Sequence, residues 1–122
     1  MDPLQQEIKE YLDERQWHNN SAADLAKSIS IEAGELLEEF QWSNPTVTEL
    51  LTNKDKADHV RREVADILIY SLELCILLNV DFRDVIKEKL AHARKKYPVK
   101  EVLGKGNNYH KIHQEYRRKG KF

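Results

Sequence analysis

The amino-acid sequence predicts an all-α domain, a bundle of four to five helices, and three observations carry that reading. Apolar residues recur at helical spacing along most of the chain. No segment sustains the alternation of a strand. Three prolines and four glycines in 122 residues leave long stretches without a breaker. The length suits one domain with a single modest core, and 34% charged against 40% hydrophobic residues suits amphipathic helices. No repeat of solenoid period and no low-complexity segment interrupts the pattern.

A first helix is expected over residues 3–15, where Leu4, Ile8, Tyr11 and Leu12 share a face. Trp17–Ala23 is a polar break, and Ser21 with Asp24 forms an S-x-x-D helix start. The second helix runs to Gln41 or Trp42. Its apolar stripe collects Leu25, Ile29, Ala33, Leu36 and Phe40, bordered by Glu32, Glu35 and Glu39. Ser43-Asn44-Pro45 ends it, because the residue before proline avoids the helical region. Thr46 to Glu49 has the capping-box pattern and opens a short helix. The next long helix covers residues 55–79 and breaks at Asn79–Asp81. Asp81 then caps a helix with core positions Val85, Ile86 and Leu90, which stops before Pro98. The tail from Val99, with GKGNNY, is expected to be irregular, regaining a turn of helix around His110–Arg117.

Charge is divided unevenly. Residues 83–122 hold 13 of the 20 Lys/Arg and four of the 21 acids, a balance of +9, while residues 1–82 carry −10. Alone, such a split describes solvated faces; beside a metal site it also suits a polyanionic ligand. Overall neutrality and the lack of a DNA- or RNA-binding motif argue against nucleic acid as partner. The single cysteine, Cys75, lies in an apolar run and excludes an intrachain disulfide. MDPLQQEIKEYLDER lacks a signal-peptide pattern, and the run 64–80 is short for a membrane span and contains Asp66 and Glu73. The expectation is a soluble, cytoplasmic protein without membrane partners.

Two acidic pairs carry the chemistry, Glu32-x-x-Glu35 and Glu63-x-x-Asp66. Spacing of three puts each pair on one helix face, with Cβ atoms roughly 5–6 Å apart. An isolated E-x-x-E is usually a solvated face. The second pair is different, because it leads into VADILIYSLELCILLNV, apolar on nearly every side of the wheel. At about 100° per residue from Glu63, Asp66 falls near 300°, Tyr70 near 340° and Leu74 near 20°. The acids thus lie on a stripe that continues into packing surface, where uncompensated charge costs several kcal/mol per ion. Four carboxylates on two facing helices suit a hard cation, Mg²⁺ or Mn²⁺, rather than zinc. None of His18, His59, His92, His110 and His113 is assigned to the metal; His110 and His113 read as a surface pair. GKGNNY reads as a plain turn.

The runs SISIEAGELLEEFQW, REVADILIYSLELCILLNVD and KLAHARKKYPV closely resemble the MazG-like all-α nucleoside triphosphate pyrophosphohydrolases. That pattern pairs E-x-x-E on one helix with E-x-x-D on the next long one, an FQW ending, a tyrosine four after the aspartate, and a lysine before K/R-Y-P. The likeness covers about residues 15–110. It implies hydrolysis of nucleoside triphosphates to monophosphate and pyrophosphate with Mg²⁺, Mn²⁺ being able to substitute. The substrates implied are free (deoxy)nucleotides, often dCTP-like or damaged ones, in a house-cleaning role. It also implies a homodimer or a homotetramer of two dimers, with a helical catalytic domain at 1–98 and a basic tail at 99–122 belonging to it.

Carried onto this chain, the resemblance makes Glu32, Glu35, Glu63 and Asp66 the metal ligands and catalytic carboxylates. Trp17, Trp42 and Tyr70 fall where relatives place aromatics around the nucleotide, and Lys89 and Lys96 where basic groups meet the triphosphate. Two departures touch the nucleotide side: Ala93 stands where many relatives have Asn, with His92 beside it, and HNNSAADL is shorter and less arginine-rich than in deoxycytidine-type members. The competing reading is a non-catalytic nucleotide-sensing or partner-binding module on the same scaffold. Independently of the resemblance, one very apolar helix in so short a chain calls for an isologous dimer to cover it.

Overall fold

The computed structural model describes residues 1–17, 20–104, 106 and 108–121. His18, and the Lys105 and Asn107 positions of the GKGNNY turn, lie outside them. The described residues form seven helices and no strand: α1 (Pro3–Glu14), α2 (Ala22–Glu38), α3 (Val47–Thr52), α4 (Lys54–Leu77), α5 (Phe82–Lys96), α6 (Val99–Val102) and α7 (Asn108–Arg118). None is long and apolar enough to cross a membrane. The chain groups into two compact units, Met1–Phe82 and Arg83–Phe122. That division coincides with the sign change in the charge distribution.

The helix starts follow local chemistry. Asp2 accepts from the Leu4 amide at 2.9 Å, with Pro3 in the first turn, where its missing N–H costs nothing. The Ser21 box is complete: its hydroxyl accepts from the Asp24 amide at 3.1 Å, and the Asp24 carboxylate accepts from the Ser21 amide at 3.3 Å. Thr46 caps α3 through the Glu49 amide at 3.2 Å, and Asn53 caps α4 through the Lys56 amide at 3.2 Å.

Two boundaries differ from expectation. α2 ends at Glu38, because the amides of Glu39, Phe40 and Gln41 turn to carbonyls three residues back, at 3.0–3.2 Å, and tighten the last turn. The tail is more helical than expected. Tyr109, Ile112 and Tyr116 recur at three- and four-residue steps, an apolar stripe long enough for the 11 residues of α7.

In the first unit α2 lies along α4, and α1 and α3 also pack on α4. Leu12, Leu25, Ala57 and Leu72 form the buried apolar core. α1 and α4 both end in a paired-carbonyl cap with a left-handed residue, Gln16 (φ 56°) and Asn79 (φ 55°). In α1 the Trp17 amide reaches the Leu12 carbonyl at 2.9 Å and the Gln16 amide reaches Asp13 at 3.1 Å. In α4 the Val80 amide reaches Cys75 at 3.0 Å and the Asn79 amide reaches Ile76 at 3.1 Å. Gln5, fully buried, then clasps the end of α4: its Nε2 donates to the Val80 carbonyl at 2.8 Å and its Oε1 accepts from the Phe82 amide at 2.9 Å. The Asp2 amide adds a 2.6 Å bond to the Asp81 carboxylate.

Replacing Gln5 by Leu strands the Val80 carbonyl and the Phe82 amide together. Urea unfolding should report a loss of about 2–4 kcal/mol, one desolvated backbone group each.

Candidate metal centre

Glu32 lies on α2 and Glu63 and Asp66 on α4, and one carboxylate oxygen of each falls within 4.8 Å of the others. The two helices run antiparallel here, so acids from distant sequence positions meet at one level. Glu32 Oε2 and Glu63 Oε2 are buried and have no hydrogen-bond partner among the described residues. No lysine or arginine forms an ion pair with them among the described residues. Buried anionic oxygens without donors are costly, and the trio of carboxylates to which these two belong fits a hard divalent cation that takes oxygen ligands.

Crowding is visible in the protonation equilibria. Burial, then Glu63, Glu35 and Asp66, push the Glu32 carboxyl up to about 7. Burial raises Glu63 as well; Glu35 and Asp66 add to it, and Glu32 opposes them. Glu35 is exposed and sits against both Glu32 and Glu63 without joining the three-oxygen group. The Tyr70 hydroxyl, one turn beyond Asp66, is held protonated by burial and then by Glu32, Glu73, Asp66 and Glu35. It therefore remains a hydrogen-bond donor beside the acids.

The remaining sequence-derived positions belong to other elements. Trp42, in the turn after α2, is 89% exposed. Trp17 is held by the cap of α1 with its ring edge-on to Tyr11, centroids 6.0 Å apart. Lys89 and Lys96 belong to the second unit. Lys89 is exposed. Lys96 is buried: its Nζ meets His113 Nδ1 and lies 5.3 Å from the ring centroids of both Tyr97 and Tyr116. Burial, then Lys96, Arg117, Lys89 and His110, hold His113 below the usual histidine range, which leaves Nδ1 free to accept from the ammonium.

The model of the MazG-like family matches residues 27–112. The chain belongs to the MazG-like family. Among solved structures it is similar to the crystal structure of a pyrophosphatase from Archaeoglobus fulgidus DSM 4304, with 37% identity, a TM-score of 0.67, and coverage of 80% of this chain and 92% of that one. None of the curated proteins matches the chain. The family match spans all four acids, and the structure draws three of them to one point.

One functional candidate escaped the sequence reading. Glu73 lines a hollow with Leu12, Trp17, Asn20, Leu25 and Ile76, and burial raises its carboxyl. Its only sequence signal was an acid inside an apolar run, the same signal that picked out Asp66.

The sign of the linkage is set by Glu32. Its folded value lies above the ordinary 4.5, so the metal-free protein is favoured on the acid side and loses that contribution as pH rises from about 4.5 through about 7. Thermal melts in chelator should decline across that window, Mg²⁺ should raise the midpoint more at pH 8 than at pH 5, and Glu32→Gln should flatten the decline.

Proposed function

We propose that this chain is a divalent-metal-dependent pyrophosphohydrolase that cleaves free (deoxy)nucleoside triphosphates to monophosphate and pyrophosphate, in a cytoplasmic house-cleaning role. The observation that carries the reading is the pair of orphaned, buried carboxylate oxygens, Glu32 Oε2 and Glu63 Oε2, converging with Asp66. Family membership and the likeness to a pyrophosphatase support the reaction class.

Glu32, Glu63 and Asp66 would hold Mg²⁺, with Mn²⁺ able to replace it. When bound, the cation supplies Lewis-acid charge to the phosphate oxygens. Glu35, beside the trio and open to solvent, is suited to orient a water and to accept its proton at a carboxylate oxygen. The new bond forms from that water to phosphorus, the bridging P–O bond between α and β phosphates breaks, and pyrophosphate leaves. Tyr70 offers its hydroxyl as donor, and an exposed indole offers a flat face for the nucleotide. The reading rests on the first unit alone.

We also propose a homodimer or homotetramer. Val64, Leu68 and Ile69 on α4 are 41%, 55% and 41% exposed, and an apolar flank on the central helix is the surface an isologous partner would cover.

With Mg²⁺ and a panel of nucleoside triphosphates the protein should release pyrophosphate rather than orthophosphate. Asp66→Asn should lower kcat/KM on the order of 10²–10³-fold with the helical circular-dichroism spectrum intact. A folded, metal-loaded protein inert toward every nucleotide would refute the assignment. Light scattering should give a mass of at least two chains at micromolar concentration, falling in Leu68→Arg; a monodisperse wild-type monomer contradicts the assembly.

A further inference from the structure

The hollow lined by Glu73 stands in a fixed relation to the metal centre. On α4, Glu73 is seven residues beyond Asp66; on α2, Leu25 is seven residues before Glu32. Seven residues is close to two helical turns, so each pair shares a face and is about 10 Å apart along its axis. Because α2 and α4 run antiparallel, both offsets point the same way. The carboxylate trio occupies one level of the helix pair, and the hollow lies two turns away on the same side. Tyr70, within electrostatic reach of Glu32, Asp66 and Glu73, falls between the two levels.

The lining is apolar apart from Glu73 and Asn20: Leu12, Leu25 and Ile76 form walls, and Trp17, 57% exposed, presents part of its indole. Among the described residues no hydrogen bond or ion pair holds Glu73, which is half-buried, and burial raises its carboxyl. A half-buried carboxyl among apolar walls is an acceptor that a ligand's donor can meet in place of water. That ligand needs a flat apolar body for the indole and aliphatic walls, and an N–H for Glu73. It must also reach about 10 Å to phosphates at the acids, the span of a nucleotide from phosphate to base.

We infer that Glu73 determines base specificity: its carboxyl accepts the exocyclic amino group of a 4-amino pyrimidine or 6-amino purine seated against Trp17, and so disfavours the 4-oxo and 6-oxo bases. An amino group donates where a carbonyl oxygen can only accept, so uracil in place of cytosine leaves two acceptors facing each other. This inference rests on the pyrophosphohydrolase reading for its link to turnover, but not for base binding.

The test compares dCTP with dUTP, which differ in the C4 substituent and in the hydrogen that uracil carries on N3. The wild type should favour dCTP about tenfold or more in kcat/KM, mostly through KM. Glu73→Gln should bring the ratio close to one, because an amide can turn either its oxygen or its NH₂ to the base. Circular dichroism and the melting midpoint verify that the variant folds, and Glu73→Ala, which can pair with neither base, should also erase the preference. A wild type that hydrolyses both equally, or variants that keep the wild-type ratio, overturn the inference while leaving the hydrolase reading in place. If neither nucleotide is turned over, calorimetry with dCMP and dUMP decides the matter separately. A dCMP preference lost in Glu73→Gln supports base reading by Glu73 in a protein that is not a hydrolase; equal binding or none overturns it.

Discussion

Repulsion among Glu32, Glu63 and Asp66 is the constraint around which the first unit is arranged. Three acids brought within 4.8 Å of one another, two of them with buried oxygens lacking donors, would drive α2 and α4 apart if nothing opposed them. Part of the opposition is chemical, a proton retained on Glu32 up to about pH 7 in the absence of a cation. Part is mechanical. Leu25 and Leu72 are packed, the Ser21 box fixes the start of α2, and Gln5 locks α1 to the end of α4. Packing energy thus sustains an arrangement that electrostatics alone would reject, a usual property of sites prepared for an ion.

The second unit handles charge in the opposite sense. Lys96 is buried without a carboxylate partner among the described residues, and two tyrosine rings and a neutral imidazole take the place of one. Ring faces and an unprotonated nitrogen are weaker partners than an anion, but they cost little to bury. His92 Nε2 is buried close by without a hydrogen-bond partner among the described residues, its ring edge-on to Tyr116 with centroids 6.2 Å apart.

Much of this was legible in the sequence. The spacing that puts Glu63 and Asp66 on one helix face, the capping residues Ser21 and Thr46, the α4 span and the stop before Pro98 all follow from local pattern, and local pattern is what a sequence states directly. The features that were not legible depend on remote partners. Gln5 reads as an ordinary exposed helix residue until Val80 and Phe82 are brought to it, 75 and 77 positions away. Lys96 reads as a solvated cation until α7 folds, and α7 is obscured by its glycine-containing lead-in. Glu73 carried the same signal as Asp66, an acid in an apolar run. Without an E-x-x-D partner nothing in the sequence gave it a role, and only the hollow beside Trp17 and Leu25 does.

The seven-residue offset shared by α2 and α4 limits how such a scaffold can change over evolutionary time. Losing or gaining a single residue between positions 66 and 73 rotates everything downstream by about 100°, which would swing position 73 off the face that holds the carboxylates. Exchange of side chains at either level leaves the helical phase untouched. The two levels can therefore diverge independently by point substitution, while the length of helix joining them stays frozen.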